Sequence, residues 1–192
     1  MFVRTERLLL RPGWPEDAPA LAHAIANEAI VRNLARVPWP YDLSDARCFL
    51  HTERGRSENA LLVFRRTRAA PKLIGGVGIH SRTDGEMELG YWISRPHWGL
   101  GYATEAAAAL IRTAHHSLRL KRIQSEHFVD NPASGRVLTK LGFRPTGRIA
   151  SRFSLGRGAR VPAKLFTLHL DCDAVDVDPL APQNLMQSRI AA

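Results

Sequence analysis

"RPHWGLGYATEA" (residues 95–106) places Gly99 and Gly101 one residue apart, directly before a run of small residues that is typical of a helix. Glycine has no Cβ, so a ligand can approach the backbone closely at such a turn. The unpaired N–H groups in the first turn of the helix then point at that ligand and favour an anion. A tight turn without a ligand is the alternative, and the two glycines alone do not decide between these interpretations.

A helix with one apolar face follows these glycines. Its apolar side chains recur at helical spacing, namely Ala103, Ala106, Ala107, Leu110, Ile111 and Ala114. Because most of them are alanines, we expect the helix to pack close to a sheet. Directly upstream, "EMELGYWIS" (residues 86–94) predicts a strand that runs into the glycine turn.

The remaining segments predict further strands and helices. The strands lie in residues 2–12, 60–66, 72–80, 121–130 and 163–170, and the helices in residues 14–27, 41–55 and 131–143. Ser44 is the expected N-cap of the second helix and Gly55 its stop. An Asp-Gly turn in residues 82–86 predicts a hairpin. The order β-α-α-β-β-β-α-β-α-β indicates a mixed α/β fold with helices on the faces of the sheet.

The last predicted helix carries clear signals at both ends. In "NPASGRVLTKLGF" (residues 131–143), Asn131 fits the N-cap, Pro132 the first helical position and Gly142 the left-handed position after the last turn. Capping alone accounts for Asn131, and Ser134 is an ordinary residue in a first turn. The residues by themselves therefore assign neither side chain a chemical role.

Composition and charge limit the classes of function. The chain has 192 residues and a formal net charge of +9, from 27 Lys and Arg against 18 Asp and Glu. This charge favours polyanionic partners, and a basic nucleic-acid-binding module is one such function. We do not expect nucleic acid binding, because the basic residues are scattered and the group from Arg152 to Arg160 contains one aromatic residue, Phe153. We also expect no membrane span and no metal site, since no apolar run approaches about 20 residues and the cysteines lack metal-ligand spacing.

Two known phosphate-binding motifs compete for the glycine turn. A P-loop needs the sequence G-x-x-x-x-G-K-[ST], which the chain does not contain. A dinucleotide-binding fingerprint needs Gly or Ala where the chain has Thr104, and it begins directly after a strand, whereas Arg95 to Trp98 intervene here. Glu126 lies roughly where a ribose-binding acid would be, but the other departures disfavour this motif.

Taken together, "ELGYWISRPHWGLGYATEA" (residues 88–106) and "DNPASGRVLTKLGF" (residues 130–143) resemble the GNAT-type N-acetyltransferases, most of all the branch that acetylates ribosomal-protein N-termini. The resemblance extends over residues 2–170 in the order of the elements. It implies the GNAT fold, with a central, mixed, mostly antiparallel twisted sheet of six to seven strands and helices on both faces. The acetyltransferase domain is expected over residues 1–170, and a loosely ordered C-terminal extension over residues 171–192.

The resemblance also implies acetyl-CoA as the cosubstrate and assigns residues to its binding. At the strand end, the backbone of Trp92, Ile93 and Ser94 is implied to pair with the pantetheine arm. In the turn, the pyrophosphate is implied to be held by the amides of Gly99, Leu100, Gly101, Tyr102, Ala103 and Thr104. Asn131 is implied to contact the coenzyme. Pro96 stands where the family usually has Gln or Arg, which matters little because main-chain amides bind the pyrophosphate. Ser134 is implied to lie beside the thiolate, where its hydroxyl helps the leaving group to depart.

The attacking amine must be neutral, and Glu88 is the candidate general base. It lies one strand period from Gly90, and similar enzymes place a Glu on this strand. The alternative is an exposed strand carboxylate beside Glu86. The related branch can also carry a base Glu shortly after the Gly-Phe pair, where this chain has Arg148 to Phe153 and no acid. This departure leaves the acceptor open.

The predicted function is therefore acetyl transfer from acetyl-CoA to a primary amine, either a protein N-terminus or a small-molecule amine, by direct attack in a ternary complex. A GNAT-fold protein that only senses CoA is one alternative, and the nucleic-acid-binding module is another. Arginines in residues 28–56 and 148–162 favour an acceptor that carries a carboxylate. The resemblance makes a homodimer an expectation, and two widely spaced cysteines without a signal-peptide pattern lead us to expect a cytoplasmic protein.

Overall fold

Eight strands of one sheet form the centre of the fold in a computed structural model that describes residues 1–52 and 59–170. They are β1 (Val3–Arg4), β2 (Leu8–Pro12), β3 (Asn59–Arg65), β4 (Lys72–Ser81), β5 (Met87–Ile93), β6 (Arg122–Phe128), β7 (Arg144–Ser154) and β8 (Ala159–His169). Their order is β1-β2-β3-β4-β5-β6-β8-β7, and every neighbouring pair is antiparallel except β5 and β6. The expected mixed, mostly antiparallel sheet is confirmed.

Helices cover both faces of this sheet, as predicted. They are α1 (Ala18–Ile25), α2 (Glu28–Val31), α3 (Leu43–His51), α4 (Tyr102–Leu118) and α5 (Pro132–Lys140). Leu110 of α4 is buried in one apolar cluster with Val63 of β3, whereas Leu21 of α1 is buried in a second cluster with Leu62. Because neighbouring strand residues point to opposite faces, the two clusters lie on opposite sides of the sheet. Within residues 1–52 and 59–170, no helix is long and apolar enough to cross a membrane.

The helix behind the glycine turn carries the predicted apolar face. All of its predicted residues are buried except the half-buried Ala103, and Ala108 and Ala109 beside them are buried as well. The buried stripe is therefore wider than predicted, because α4 contacts α5 as well as the sheet. The small side chains allow the helix to lie close to the strands that lead into the turn.

β5 and β6 run parallel but stay together over a short distance only. Glu88 pairs with Gln124, and the Ser125 hydroxyl donates a hydrogen bond to the Leu89 carbonyl oxygen at 2.9 Å. Among the residues that the structure describes, no further ladder pair joins these two strands. The strands therefore separate toward their C-terminal ends. α4 and α5 begin near this opening, because each follows one of the two strands along the chain.

The sheet has eight strands rather than the six to seven expected. Residues 2–12 form two strands instead of one, because the Thr5 hydroxyl accepts a hydrogen bond from the Leu8 amide at 2.9 Å and closes a turn between β1 and β2. The sequence does not predict β7, which is a largely exposed edge strand that contains Pro145 and Gly147. Such a strand lacks the alternating apolar pattern of a half-buried one.

The N-terminus of α3 also differs from the prediction. Asp42, not Ser44, is its N-cap, since the Asp42 carboxylate accepts hydrogen bonds from the amides of Ser44 (2.7 Å) and Asp45 (3.1 Å). The Asp45 carboxylate accepts from the Asp42 amide in return, which completes a capping box. The predicted stop at Gly55 and the extension over residues 171–192 lie outside the described residues.

Replacing Leu110 by Ala tests the packing that holds α4 on the sheet. The Leu110 side chain is fully buried in the cluster that joins α4 to the strands, so Leu110→Ala should lower the free energy of unfolding by about 2–5 kcal/mol. Urea denaturation followed by circular dichroism measures this change. The control is Arg112→Ala on the exposed side of α4, which should change the free energy by less than about 0.5 kcal/mol. Equal effects from the two variants would contradict this packing.

Candidate active site

A cleft of about 1100 Å³ opens where β5 and β6 separate. Gly99 and Thr104 line it from the turn before α4, Asn131 and Ser134 from the start of α5, and Glu88 from β5. Its volume suits a ligand of cofactor size. The predicted glycine turn and the predicted start of the helix at residues 131–134 therefore meet at one cleft, although they lie far apart in the sequence.

The turn before α4 presents backbone rather than side chains to this cleft. A short 3-10 turn (Arg95–His97) leads into it, and Gly99 and Gly101 have φ angles of +75° and +80° in the left-handed region that favours glycine. A Cβ on Gly99 would have no heavy atom within 4 Å, so the space beside it is open. The first N–H groups of a helix lack acceptors within the helix, and those of α4 lie at this point. The turn is therefore suited to bind an anion.

The buried carboxylate of Glu105 holds this turn in place on the side that does not line the cleft. Glu105, in the first turn of α4, accepts hydrogen bonds from the Thr5 hydroxyl (2.6 Å), the Arg7 amide (3.0 Å) and Arg7 Nε (2.7 Å). Arg7 Nη1 donates to the Leu100 carbonyl oxygen at 3.0 Å, and the Arg7 guanidinium lies 4.6 Å from the centre of the Tyr102 ring. Burial alone would raise the pKa of Glu105, but the hydrogen bonds from Thr5 and Arg7 outweigh it and hold that pKa below its usual value.

The structure corrects which backbone groups at the end of β5 can meet a ligand. The Ser94 amide donates to the Ile74 carbonyl oxygen at 2.7 Å, so it faces β4. Backbone groups alternate in direction along a strand, so the backbone of Trp92 faces β4 as well. Trp92 and Ser94 are therefore not placed for the main-chain pairing with pantetheine that the resemblance implies. Ser94 is also buried, and its hydroxyl lies 2.9 Å from Nδ1 of the buried His97.

The backbone of Tyr91 and Ile93 faces the opening instead, as that of Leu89 does where it meets β6. The Ile93 carbonyl oxygen accepts a hydrogen bond from Nε1 of Trp98 at 2.6 Å. Trp98, directly before Gly99, thereby ties the glycine turn to the end of the strand. The predicted site residue Ile93 keeps its place beside the cleft, and Tyr91 joins it.

The start of α5 carries the predicted cap and a hydroxyl pair that the sequence does not predict. The Asn131 side-chain oxygen accepts from the Ser134 amide at 3.3 Å, which confirms Asn131 as the N-cap. The Tyr91 hydroxyl lies 2.8 Å from Ser134 Oγ and 3.0 Å from the Ser134 carbonyl oxygen. Burial raises the pKa of Tyr91 to about 12, although the hydrogen bond with Ser134 opposes this shift. The two hydroxyls are 43 positions apart in the chain, so no local pattern connects them.

α5 lies directly against β6, which fixes Ser134 beside the opening. A Cβ on Gly135 would lie 2.7 Å from Nε2 of the buried His127, so α5 can lie this close to β6 only with glycine at this position. Gly142 follows the helix with a φ angle of +85°, which confirms the predicted left-handed position.

Glu88 lies within a cluster of charged side chains, on the face of β5 opposite to the one that carries Tyr91. It forms a short ion pair with Arg82, and its Oε1 lies 3.9 Å from Nε2 of His80. Arg82 Nη1 also lies 3.7 Å from Glu126 Oε2, and Glu126 accepts from Arg152 Nε at 2.8 Å. The Glu88 side chain is 16% exposed, so Glu88 is a half-buried, ion-paired carboxylate rather than an exposed one, and its role as a base stays a prediction.

Glu126, whose position in the sequence roughly fits a ribose-binding acid, is a second carboxylate that lines the cleft. Its partner Arg152 comes from the segment after the Gly-Phe pair that contains no acid. β6 pairs with β8 and β8 pairs with β7, so the sheet brings Arg152 to Glu126. This contact was not predictable without β7. Within residues 1–52 and 59–170, this cluster included, no group of three or more His, Cys, Asp or Glu is placed to hold a metal ion.

Comparison with known proteins agrees with this architecture. A family model described as "Acetyltransferase (GNAT) domain" matches residues 7–144. The chain is 28% identical over 153 residues to "Uncharacterized N-acetyltransferase YoaA" of Bacillus subtilis (strain 168), which covers 76% of this chain and 84% of that protein.

Solved structures share the fold. The acetyltransferase (GNAT family) from Bacillus anthracis has a TM-score of 0.74 at 23% identity, covering 88% of this chain and 98% of that chain. RimL, a ribosomal L7/L12 alpha-N-protein acetyltransferase solved in complex with coenzyme A, has a TM-score of 0.72 at 20% identity, covering 90% of this chain and 100% of that chain. At these identities the likeness establishes the fold alone.

Replacing Glu105 by Gln tests the buried carboxylate behind the turn. Folding lowers the pKa of Glu105 from its usual 4.5, so the ionised carboxylate stabilises the folded state above that pH, and this stabilisation is lost as the pH falls through the folded-state pKa. Glu105→Gln should lower the free energy of unfolding at neutral pH by about 1–3 kcal/mol, and the variant should lose less stability than the wild type on acidification.

Urea denaturation at a series of acidic and neutral pH values measures both effects. The control is Glu6→Gln, which changes an exposed carboxylate between Thr5 and Arg7, the two residues that bind Glu105, and should leave the pH dependence unchanged. A wild-type pH dependence in Glu105→Gln would refute the role of this carboxylate.

Proposed function

Since the chain belongs to the GNAT acetyltransferase family and is an acyl-CoA-dependent N-acetyltransferase, we propose that it moves the acetyl group of acetyl-CoA to a primary amine by direct attack in a ternary complex. One observation carries this proposal: an anion-binding turn, a hydroxyl and a carboxylate line a single cleft where two parallel strands separate. The turn suits the pyrophosphate, the hydroxyl suits the leaving thiolate, and the carboxylate suits the proton of the amine.

The donor half of the cleft is the side of the turn and of α5. In this proposal, the amides of residues 100–104 hold the pyrophosphate, and the positive end of the α4 dipole adds to the attraction. The pantetheine arm lies in the opening, along the backbone of Tyr91 and Ile93, and Asn131 contacts the coenzyme. The bonds that hold the turn from behind keep it in the binding conformation before the donor arrives, which lowers the entropic cost of binding.

The acceptor amine approaches from the face of the sheet that carries Glu88. Its nitrogen forms a bond to the thioester carbonyl carbon and gives one proton to a base. The C–S bond breaks, and its electron pair stays on the sulfur. Ser134 donates a hydrogen bond to this sulfur from the opposite face of β5. A thiol has an ordinary pKa of about 8.5, so a hydrogen bond is sufficient help at neutral pH.

Glu88 acts as the base in this scheme, directly or through a water molecule. Arg82 pairs with its Oε2 and holds the side chain in place, whereas its Oε1 lies on the side of His80. Arg82 also connects Glu88 to Glu126, so the position of the base depends on two neighbouring strands.

The acceptor is either a protein N-terminus or a small-molecule amine. The resemblance of residues 88–106 and 130–143 to the branch that acetylates ribosomal-protein N-termini supports the first. Arg36 lines the cleft, which supports an acceptor that carries a carboxylate. A domain over residues 1–170, a homodimer and a cytoplasmic location stay predictions.

A pair of matched glycine variants tests donor binding. Gly99 and Gly85 both have a left-handed backbone, and a Cβ on either would have no heavy atom within 4 Å. Gly85 lies in the hairpin turn between β4 and β5, whereas Gly99 lines the cleft. Gly99→Ala should therefore weaken acetyl-CoA binding at least about tenfold, equal to about 1.4 kcal/mol, and Gly85→Ala should not.

Isothermal titration calorimetry with acetyl-CoA measures both affinities, and thermal melting reports the backbone strain that the two variants share. Equal affinities for acetyl-CoA in both variants would contradict the assignment of the turn. Absence of acetyl-CoA binding by the wild type would refute the proposed function itself.

Replacing Glu88 by Gln tests the base. The variant should turn over at least about 100-fold more slowly, with an unchanged affinity for acetyl-CoA, in an assay that detects the free CoA thiol with a panel of amine acceptors. The control is Glu86→Gln, which removes a carboxylate paired with Arg122 near the same end of β5. If Glu88→Gln keeps the wild-type rate, another group takes the proton.

A further inference from the structure

The contact between Tyr91 and Ser134 joins β5 to α5 across the mouth of the opening. The Tyr91 hydroxyl lies within hydrogen-bond distance of two atoms of Ser134, its Oγ at 2.8 Å and its carbonyl oxygen at 3.0 Å. We propose that Tyr91 is a positioning residue that sets the direction in which the Ser134 hydroxyl donates its proton. This inference rests on the proposed function, because it assumes that Ser134 serves the leaving sulfur.

The number of protons in this contact allows two arrangements. Each hydroxyl has one proton to donate. In the first arrangement, Tyr91 donates to the Ser134 carbonyl oxygen and Ser134 donates to the Tyr91 oxygen. In the second, Tyr91 donates to Ser134 Oγ, and the Ser134 proton is free to point into the cleft. The distances permit both, so a small rotation of two hydroxyl groups interconverts them.

The second arrangement is the one that serves the reaction. As the C–S bond breaks, negative charge develops on the sulfur, and the Ser134 proton turns toward it. Tyr91 then donates to Ser134 Oγ, which makes Ser134 a stronger donor because hydrogen bonds in a chain polarise one another. Neither hydroxyl gives up its proton, so the products are the amide, the thiolate and the protonated base.

The surroundings of Tyr91 suit a donor and not a base. Burial raises the pKa of Tyr91 to about 12, so its hydroxyl stays protonated at neutral pH. Its ring is partly buried against the cluster beneath α4, which fixes the position of the hydroxyl. Gly135 allows α5 to lie close to β6, which fixes the position of Ser134 as well.

A double-mutant cycle with Tyr91→Phe, Ser134→Ala and the double variant tests this inference in steady-state kinetics. Ser134→Ala should lower kcat about 100-fold, the size of effect seen when one donor to a developing charge is removed. Tyr91→Phe should lower kcat about tenfold, a coupling typical of residues in one network. The double variant should be no slower than Ser134→Ala, and KM for acetyl-CoA should be the same in all four proteins.

Each other outcome overturns a defined statement. If Tyr91→Phe lowers kcat by the same factor in the wild-type and Ser134→Ala backgrounds, or does not lower it at all, Tyr91 does not act through Ser134. If KM for acetyl-CoA rises in Tyr91→Phe, its role is to shape the cleft. If Ser134→Ala keeps the wild-type kcat, this inference fails, while turnover by the wild type still supports acetyl transfer.

Thermal melting separates these effects from a loss of folding. Tyr41→Phe shows how the loss of a tyrosine hydroxyl elsewhere in the fold changes the melting temperature, because burial raises the pKa of Tyr41 to about 12 as well. The loss of its hydrogen bonds with Ser134 should lower the melting temperature of Tyr91→Phe, and the inference requires only that this variant is fully folded at the assay temperature. Partial unfolding of Tyr91→Phe at the assay temperature would make its effect on kcat structural and overturn the inference.

Discussion

Parallel strands that pair along their whole length leave no room for a ligand between them. β5 and β6 pair at Glu88 and Gln124, are joined once more through the Ser125 hydroxyl, and then separate. Every part of the candidate site depends on this separation. It exposes strand backbone at the edge of the opening, and buried backbone groups need partners. A donor with amide groups along its arm supplies such partners, which is why the opening suits pantetheine better than an apolar ligand.

The sequence predicts the parts of the site that depend on neighbours in the chain. The glycine turn that leads into α4 and the Asn131 cap of α5 are local features, and both are confirmed. The contacts of Tyr91 with Ser134, and of Arg152 with Glu126, depend on which strands and helices become neighbours in space. Likewise the sequence shows Trp92 and Ser94 at a strand end, but only the register with β4 shows which way their backbone points.

Some of the basic side chains form ion pairs with carboxylates within the fold. Arg7 is paired with Glu105, Arg82 with Glu88, and Arg152 with Glu126, and each pair is at least partly buried. These arginines hold carboxylates that border the cleft or the turn before α4. These pairs leave the net charge of +9 unchanged, because each joins one positive and one negative group, but they occupy three of the 27 Lys and Arg side chains. This reduces the support for a nucleic-acid-binding module, which needs basic side chains that are exposed together.

Gly90 gives a separate reason to place a reaction at the face of β5 that carries Glu88. A glycine inside a strand lowers its stability, so a structural reason is usually found nearby. For Gly76 the reason is the Trp92 side chain, which a Cβ would approach to 2.6 Å, and for Gly78 it is the carbonyl oxygen of Asn59 at 2.8 Å. A Cβ on Gly90 would meet nothing within 4 Å, and Gly90 lines the cleft. The described structure thus gives no packing reason for this glycine, whereas an amine that reaches the thioester beside Glu88 would need the space above it.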